Sequence, residues 1–128
     1  MSEMFEADVA SRTLGIDLVE LGAGRATATM RLTEQMVNGH GIAHGGYLFL
    51  LADTTFACAC NSHGPTTVAA GAEISFVRPG RLGDLLVAVA EERIRYGRNG
   101  IYDVTVYREV DGRRDVLAEF RGRSRTID

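Results

Sequence analysis

The chain contains no lysine and no tryptophan, and only two prolines and two cysteines in 128 residues. Without lysine, every fixed side-chain cation is an arginine; 14 of them stand against 17 carboxylates, for a net charge of −3. That balance excludes a general nucleic-acid binder, which carries a basic surface. It leaves room for a local phosphate patch, because a guanidinium presents a planar donor fork. The cysteines, Cys58 and Cys60, lie two apart in a helical pattern and point to different sides. Neither a disulfide nor a metal site suits that spacing, so buried free thiols are expected. The longest apolar run, Tyr47 to Cys60, is interrupted by Asp53, Thr54 and Thr55 and is too short to span a bilayer. Residues 1–10 carry Glu3, Glu6 and Asp8 with no basic cluster, which does not read as a signal peptide. One domain over residues 1–128, cytoplasmic, with no membrane attachment and no nucleic-acid partner, is the expectation.

What is present is ordered. Residues 3–13 read as one short amphipathic helix with Met4, Phe5, Val9 and Ala10 on a shared face. Ile16 and Leu18 begin a strand pattern, and Gly22-Ala23-Gly24 marks a turn. From Arg25 to Leu32, Ala26, Ala28, Met30 and Leu32 alternate with polar residues. Asn38-Gly39-His40-Gly41 is loop chemistry. The segment from Tyr47 to Cys60 then lacks Gly and Pro and is apolar on every side, which predicts a buried helix. Beyond Asn61–Pro65 everything reads as strand. Val68, Ala70, Ala72, Ile74 and Phe76 alternate; so do Leu85, Val87 and Val89; and Asp111-Gly112 signals a hairpin between two further strands. Short turns make the later strands antiparallel. One apolar helix wrapped by an antiparallel sheet of about five to six strands is an α+β, hotdog-like architecture.

Two features of the helix are costly unless used. Asp53 interrupts an apolar run, and an unpaired buried carboxylate is expensive. One reading is an interior Asp bonded to neighbouring threonines; the other is a nucleophile or general base with a pKa raised by burial. His44-Gly45-Gly46 opens the same helix, where bare backbone N–H groups and the positive dipole end can hold a carbonyl and its oxyanion. The glycines could equally serve only a tight loop. Gly45 and Asp53 are eight residues apart, roughly 12 Å along a helix. A base must come within about 3 Å of what it activates. One helix therefore does not supply both groups to one site, and a two-fold homodimer with composite sites is expected. His40 and His63 read as exposed loop residues, and no metal-ligand cluster or cofactor motif accompanies them.

The run Asn38-Gly-His-Gly-Ile-Ala-His-Gly-Gly46, then Leu48-Phe-Leu-Leu-Ala-Asp-Thr54, then Phe76-Val-Arg-Pro-Gly80, resembles the phenylacetic-acid-degradation (PaaI-type) hotdog thioesterases over roughly residues 5–126. The resemblance implies an acyl-CoA thioesterase needing no cofactor, acting on phenylacetyl-CoA or its ring-hydroxylated form. It implies Asp53 as nucleophile or general base and the Gly45 N–H as the group that polarises the thioester. His44 and Asn38 would be positioning residues, with Thr54 following the acid. Gly46 and Tyr47 would lie against the substrate, and Arg78, Pro79 and Gly80 near the CoA moiety, where Arg78 would pair with phosphate. It also implies a homotetramer built from two dimers. Two family positions differ: Val68-Ala69-Ala70 stands where a water-holding serine occurs, and Ala7 where an assisting asparagine occurs. Thr54 or Asn38 is left for the water-positioning role. The competing classes are a hotdog hydratase/dehydratase and a non-catalytic acyl-CoA-binding domain.

Overall fold

The computed structural model describes residues 2–128. Two short helices, α1 (Glu3–Glu6) and α2 (Val9–Thr13), precede strands β1 (Asp17–Gly22) and β2 (Arg25–Arg31). A 3-10 turn at Glu34–Met36 leads to the long helix α3 (Gly45–Asn61). Strands β3 (Thr67–Phe76), β4 (Leu85–Tyr96), β5 (Asn99–Val110) and β6 (Arg113–Thr126) complete the chain. All six strands form one antiparallel sheet in the order β1-β2-β4-β5-β6-β3. Helix α3 lies across this sheet, touching every strand, and delivers the chain from β2 to the far edge. This is the expected hotdog arrangement, with six strands. Among the described residues no helix is long and apolar enough to cross a membrane.

Side-chain size decides how close the helix can come. The strands beneath it present Ala26, Ala28, Ala88 and Ala90, all at most 2% exposed. Larger residues of the core, Phe56, Tyr102 and Phe120, pack ring against ring farther along the helix. In β4 it is Leu86, Ala88 and Ala90 that face inward. The bulkier Val87 and Val89 sit on the opposite face beside the threonines of β2 and β5, which face out with them. Asp111 and Gly112 both have positive φ, 52° and 77°, the backbone that a two-residue hairpin between twisted strands requires.

Three expectations need correction. Residues 3–13 are not one helix, because the Asp8 side chain accepts the Ser11 N–H at 3.0 Å and starts a second helix instead. The alternation along β3 is broken by a bulge between Ala69 and Gly71. Val68 pairs with the exposed Arg125, whereas Ala72, Ile74 and Phe76 pair with the buried Gly122, Phe120 and Ala118, so Val68 and Ala72 point to opposite faces. Finally, α3 is not wrapped on all sides. Leu48, Leu51, Ala52, Thr55, Phe56 and Ala59 are buried, but Gly46, Leu50, Asp53 and Ala57 form a stripe left open or half-open. Their spacing puts them on one helix face.

Candidate active site

The approach to α3 is fixed by backbone pairing on both sides. The Ala43 N–H donates to the Gly80 carbonyl at 2.8 Å, and the His44 N–H to the Met36 carbonyl at 2.9 Å. Asn38 organises the loop before it, its Oδ1 accepting the N–H groups of His40 and Ile42 at 2.9 and 3.1 Å. Its side-chain carbonyl is thereby engaged, while its amide remains a donor.

The helix start carries no side-chain cap: His44, at the N-cap, makes no capping hydrogen bond, and its side chain is exposed. Tyr47 N–H turns back to the His44 carbonyl at 3.1 Å, which leaves the amides of Gly45 and Gly46 at the positive end of a 17-residue helix. A Cβ at 45 would meet the tip of the Phe76 ring at 2.6 Å, so a side chain there requires that ring to move. At Gly46 a Cβ would meet nothing within 4 Å. Gly80 has a packing reason of its own: it is buried, and a Cβ would stand 2.8 Å from Leu32.

Asp53 sits on the half-open stripe of α3. Burial, and then the negative charge of Asp8, push its carboxyl above the ordinary carboxylate range, with no hydrogen bond holding it down. The alternative reading, an interior Asp bonded to neighbouring threonines or backbone, has no such bond behind it among the described residues. Thr54 bonds Ser11 at 2.8 Å, and Thr55 donates to the Leu51 carbonyl at 2.7 Å. Gly45 and Asp53 belong to one unbroken helix, so the separation of roughly 12 Å holds.

On the other flank, Arg78 is already engaged, pairing with Asp115 at 3.3 Å and donating to the Val116 carbonyl at 2.8 Å. It shares a shallow cleft with Arg108, Arg113 and Arg114, and Pro79 beside it is exposed. Arg108 is held by Asp84 and Asp115, so Arg113 and Arg114 are the more available cations there. Cys58 and Cys60 are free and buried, as expected. Burial lifts their thiols to about 11 and about 12, which keeps them protonated and unreactive. Among the described residues no cluster fit to hold a metal ion occurs.

Sequence reasoning passed over two groups. Asp8 and Ser11 reach α3 from the N-terminal segment, and the only local signal was the Asp-x-x-Ser capping pattern. His63 is not an exposed loop residue. It bonds Glu92 at 2.7 Å, and Glu92 also accepts the Tyr102 hydroxyl at 2.8 Å.

The model of the "Thioesterase superfamily" matches residues 40–114. The acyl-coenzyme A thioesterase PaaI of Escherichia coli K12 is 45% identical over 124 residues, covering 97% of this chain and 86% of that protein. The solved structure of E. coli PaaI, from the phenylacetic acid degradation operon, superposes with a TM-score of 0.93 at 44% identity, covering 98% and 88%. A Streptococcus mutans protein solved with acetyl CoA superposes at 0.81 with 25% identity, covering 88% of each chain.

Proposed function

This chain belongs to the Thioesterase superfamily and is a hydrolase of thioester bonds, and from that premise we propose that it cleaves aryl-acetyl-type acyl-CoA, phenylacetyl-CoA or its ring-hydroxylated form, to the free acid and CoA. The reading rests above all on Asp53, a carboxylate without hydrogen bonds on an otherwise apolar, half-open helix face. The thioester carbonyl is received by the Gly45 N–H and the dipole of α3, which stabilise the oxyanion. Asp53 of the partner subunit supplies the carboxylate, either by adding to the carbonyl carbon or by taking a proton from the attacking water. In both routes the C–S bond breaks and CoA leaves as thiolate, which takes up a proton; in the first, water then cleaves the acyl-Asp53 anhydride to the free acid and restores the carboxylate.

The composite site follows from the roughly 12 Å between the two groups, too far for one copy to bring both to one carbonyl. The edge strand β3 supports the pairing. Phe76 on it is 55% exposed although it faces the helix side, and its ring lies against the helix start. A second copy brought along this edge covers the open stripe of α3, and two such dimers make the tetramer. Asn38 and His44 hold the loop at the thioester, with Tyr47 and Gly46 lining its acyl side. The cleft of Arg78, Arg113 and Arg114 receives a CoA phosphate.

An acyl-CoA panel run on wild type and Asp53→Asn tests the activity. The variant is expected to lose at least about 1,000-fold in kcat; turnover at the wild-type rate would refute the assignment. Solvent-oxygen labelling in a single turnover separates the two routes, since label entering Asp53 marks an anhydride. Mixing dissociated Gly45→Ala and Asp53→Asn chains tests the composite site. Reassociation is expected to restore about a quarter of wild-type activity, because half the chains pair across variants and one of their two sites is intact. No recovery in a proven mixed dimer would place both groups in one subunit.

A further inference from the structure

We propose that Asp8 is a positioning residue of this active site, tied to helix α3 by the hydrogen bonds Asp8–Ser11–Thr54 so that its carboxylate is held on the side-chain network of the residue next to Asp53. The inference rests on Asp53 being the catalytic carboxylate.

The lock has a direction. The Ser11 hydroxyl, on a residue 1% exposed, donates to Asp8 Oδ2 at 2.6 Å, and Asp8 Oδ1 accepts the Ser11 N–H at 3.0 Å. A serine has one hydroxyl proton. Its second bond, 2.8 Å to Thr54 Oγ1, therefore has Thr54 as donor. The Thr54 proton is given to Ser11 and the Ser11 proton to Asp8, and the buried Ser11–Thr54 hydrogen bond joins residues 43 positions apart in the chain. Thr54 is left without a proton for its neighbour Asp53. The neighbouring hydroxyl is thus committed to the N-terminal segment, and the negative charge of Asp8 adds to burial in raising the Asp53 carboxyl.

Among the described residues of this chain, no cation faces Asp53 to oppose this. In the composite site the helix start of the partner would act against it, which leaves the difference between wild type and variant as the readout. On α3 itself the neighbouring titratable groups are the neutral thiols Cys58 and Cys60. His63, at the far end of that helix, is tied to Glu92 of β4, which is bonded in turn by Tyr102 of β5. Glu73 of β3 pairs outward with Arg123 of β6. Of all these, Asp8 is the one whose charge acts on Asp53, after burial itself. The consequence is a carboxylate that holds its proton more firmly, and so is a stronger base once ionised.

A purely structural Asp8 would be a helix cap and no more. Asparagine caps as well as aspartate, and its amide can donate to the Ser11 hydroxyl. Asp8→Asn therefore keeps the contacts, removes the charge and turns the Ser11 proton toward Thr54, which also lowers the proton affinity of Asp53 if the freed Thr54 proton reaches it. The test compares wild type with Asp8→Asn in two readouts, the acid limb of kcat/KM against pH and the midpoint of Asp53 followed by carboxyl carbon-13 NMR. Removing a like charge lowers the proton affinity of Asp53, so both are expected to move to lower pH by about half a unit. A midpoint and limb that stay in place overturn the proposal, and the NMR reading decides even where turnover is lost. Asp53→Asn serves as the control. Full turnover there sinks the catalytic assignment and this proposal with it. Lost turnover there, with an unmoved Asp8→Asn midpoint, sinks this proposal alone.

Discussion

The two ends of helix α3 are built to opposite rules. At the C-terminal end nearly every polar group has a partner. Asn61 donates to the carbonyls of Ala57 and Thr67 and accepts the Thr67 N–H. Ser62 donates to the Ala59 carbonyl and accepts the Gly24 N–H, while His63, Glu92 and Tyr102 close the corner. At the N-terminal end the cap makes no side-chain bond, two glycines bare their amides, and the residues ahead are steered by backbone contacts and by the Asn38 side chain. Satisfying the first end stabilises the fold. Leaving the second end unsatisfied keeps donors free for a carbonyl, at a cost in stability that the first end helps to offset.

Substitutions at the two ends should therefore separate activity from stability. The largest effect is expected from Gly45→Ala. Its methyl would stand 2.6 Å from the Phe76 ring, which is half exposed and can swing aside, into the space where the thioester oxygen would lie. A loss of roughly 100-fold in kcat/KM with a small change in urea midpoint is expected; a large stability loss with normal turnover of the folded fraction would erase the contrast. Next comes Asn61→Ala at the other end. Three hydrogen bonds vanish and buried backbone groups lose their partners, so unfolding in urea should show about 2–3 kcal/mol lost with kcat unaltered.

The smallest effect concerns acid. Burial alone raises the Glu92 carboxyl, but hydrogen bonds from His63 and Tyr102, with the charges of His63 and Arg95, bring it below its ordinary 4.5. A carboxyl with a depressed folded value binds fewer protons folded than unfolded. Its contribution is complete above 4.5 and fades as pH falls through the lower folded value. Thermal melts should therefore show wild type losing its advantage over Glu92→Gln on acidification below 4.5; a constant difference down to strong acid would break the account of that corner.

Much of this was legible in the sequence, for local reasons. A stretch free of Gly and Pro bounded by His44-Gly45 and Asn61–Pro65 marks α3 almost to the residue, and Asp111-Gly112 marks its hairpin. What stayed hidden depends on distant partners. The bulge in β3 falls among Ala69, Ala70 and Gly71, whose small side chains give no period to read. The open stripe on α3 is as apolar as the buried faces, so composition did not separate them, and only Asp53 betrayed it. Ser11 meets Thr54 and His63 meets Glu92 across 43 and 29 residues, pairings that no local pattern encodes.

The strand order also governs when the site can exist. Strand β3 follows directly on helix α3, yet its only neighbour in the sheet among the described residues is β6, with Thr67 opposite Thr126. Closing so long a loop is slow compared with forming hairpins such as β5–β6. During synthesis, helix α3 and the edge strand emerge before β6 and wait, apolar face uncovered, until that strand has left the ribosome. The edge that would receive a second copy is thus the last part of the sheet to be completed, and an unfinished chain has no ordered surface there with which to pair.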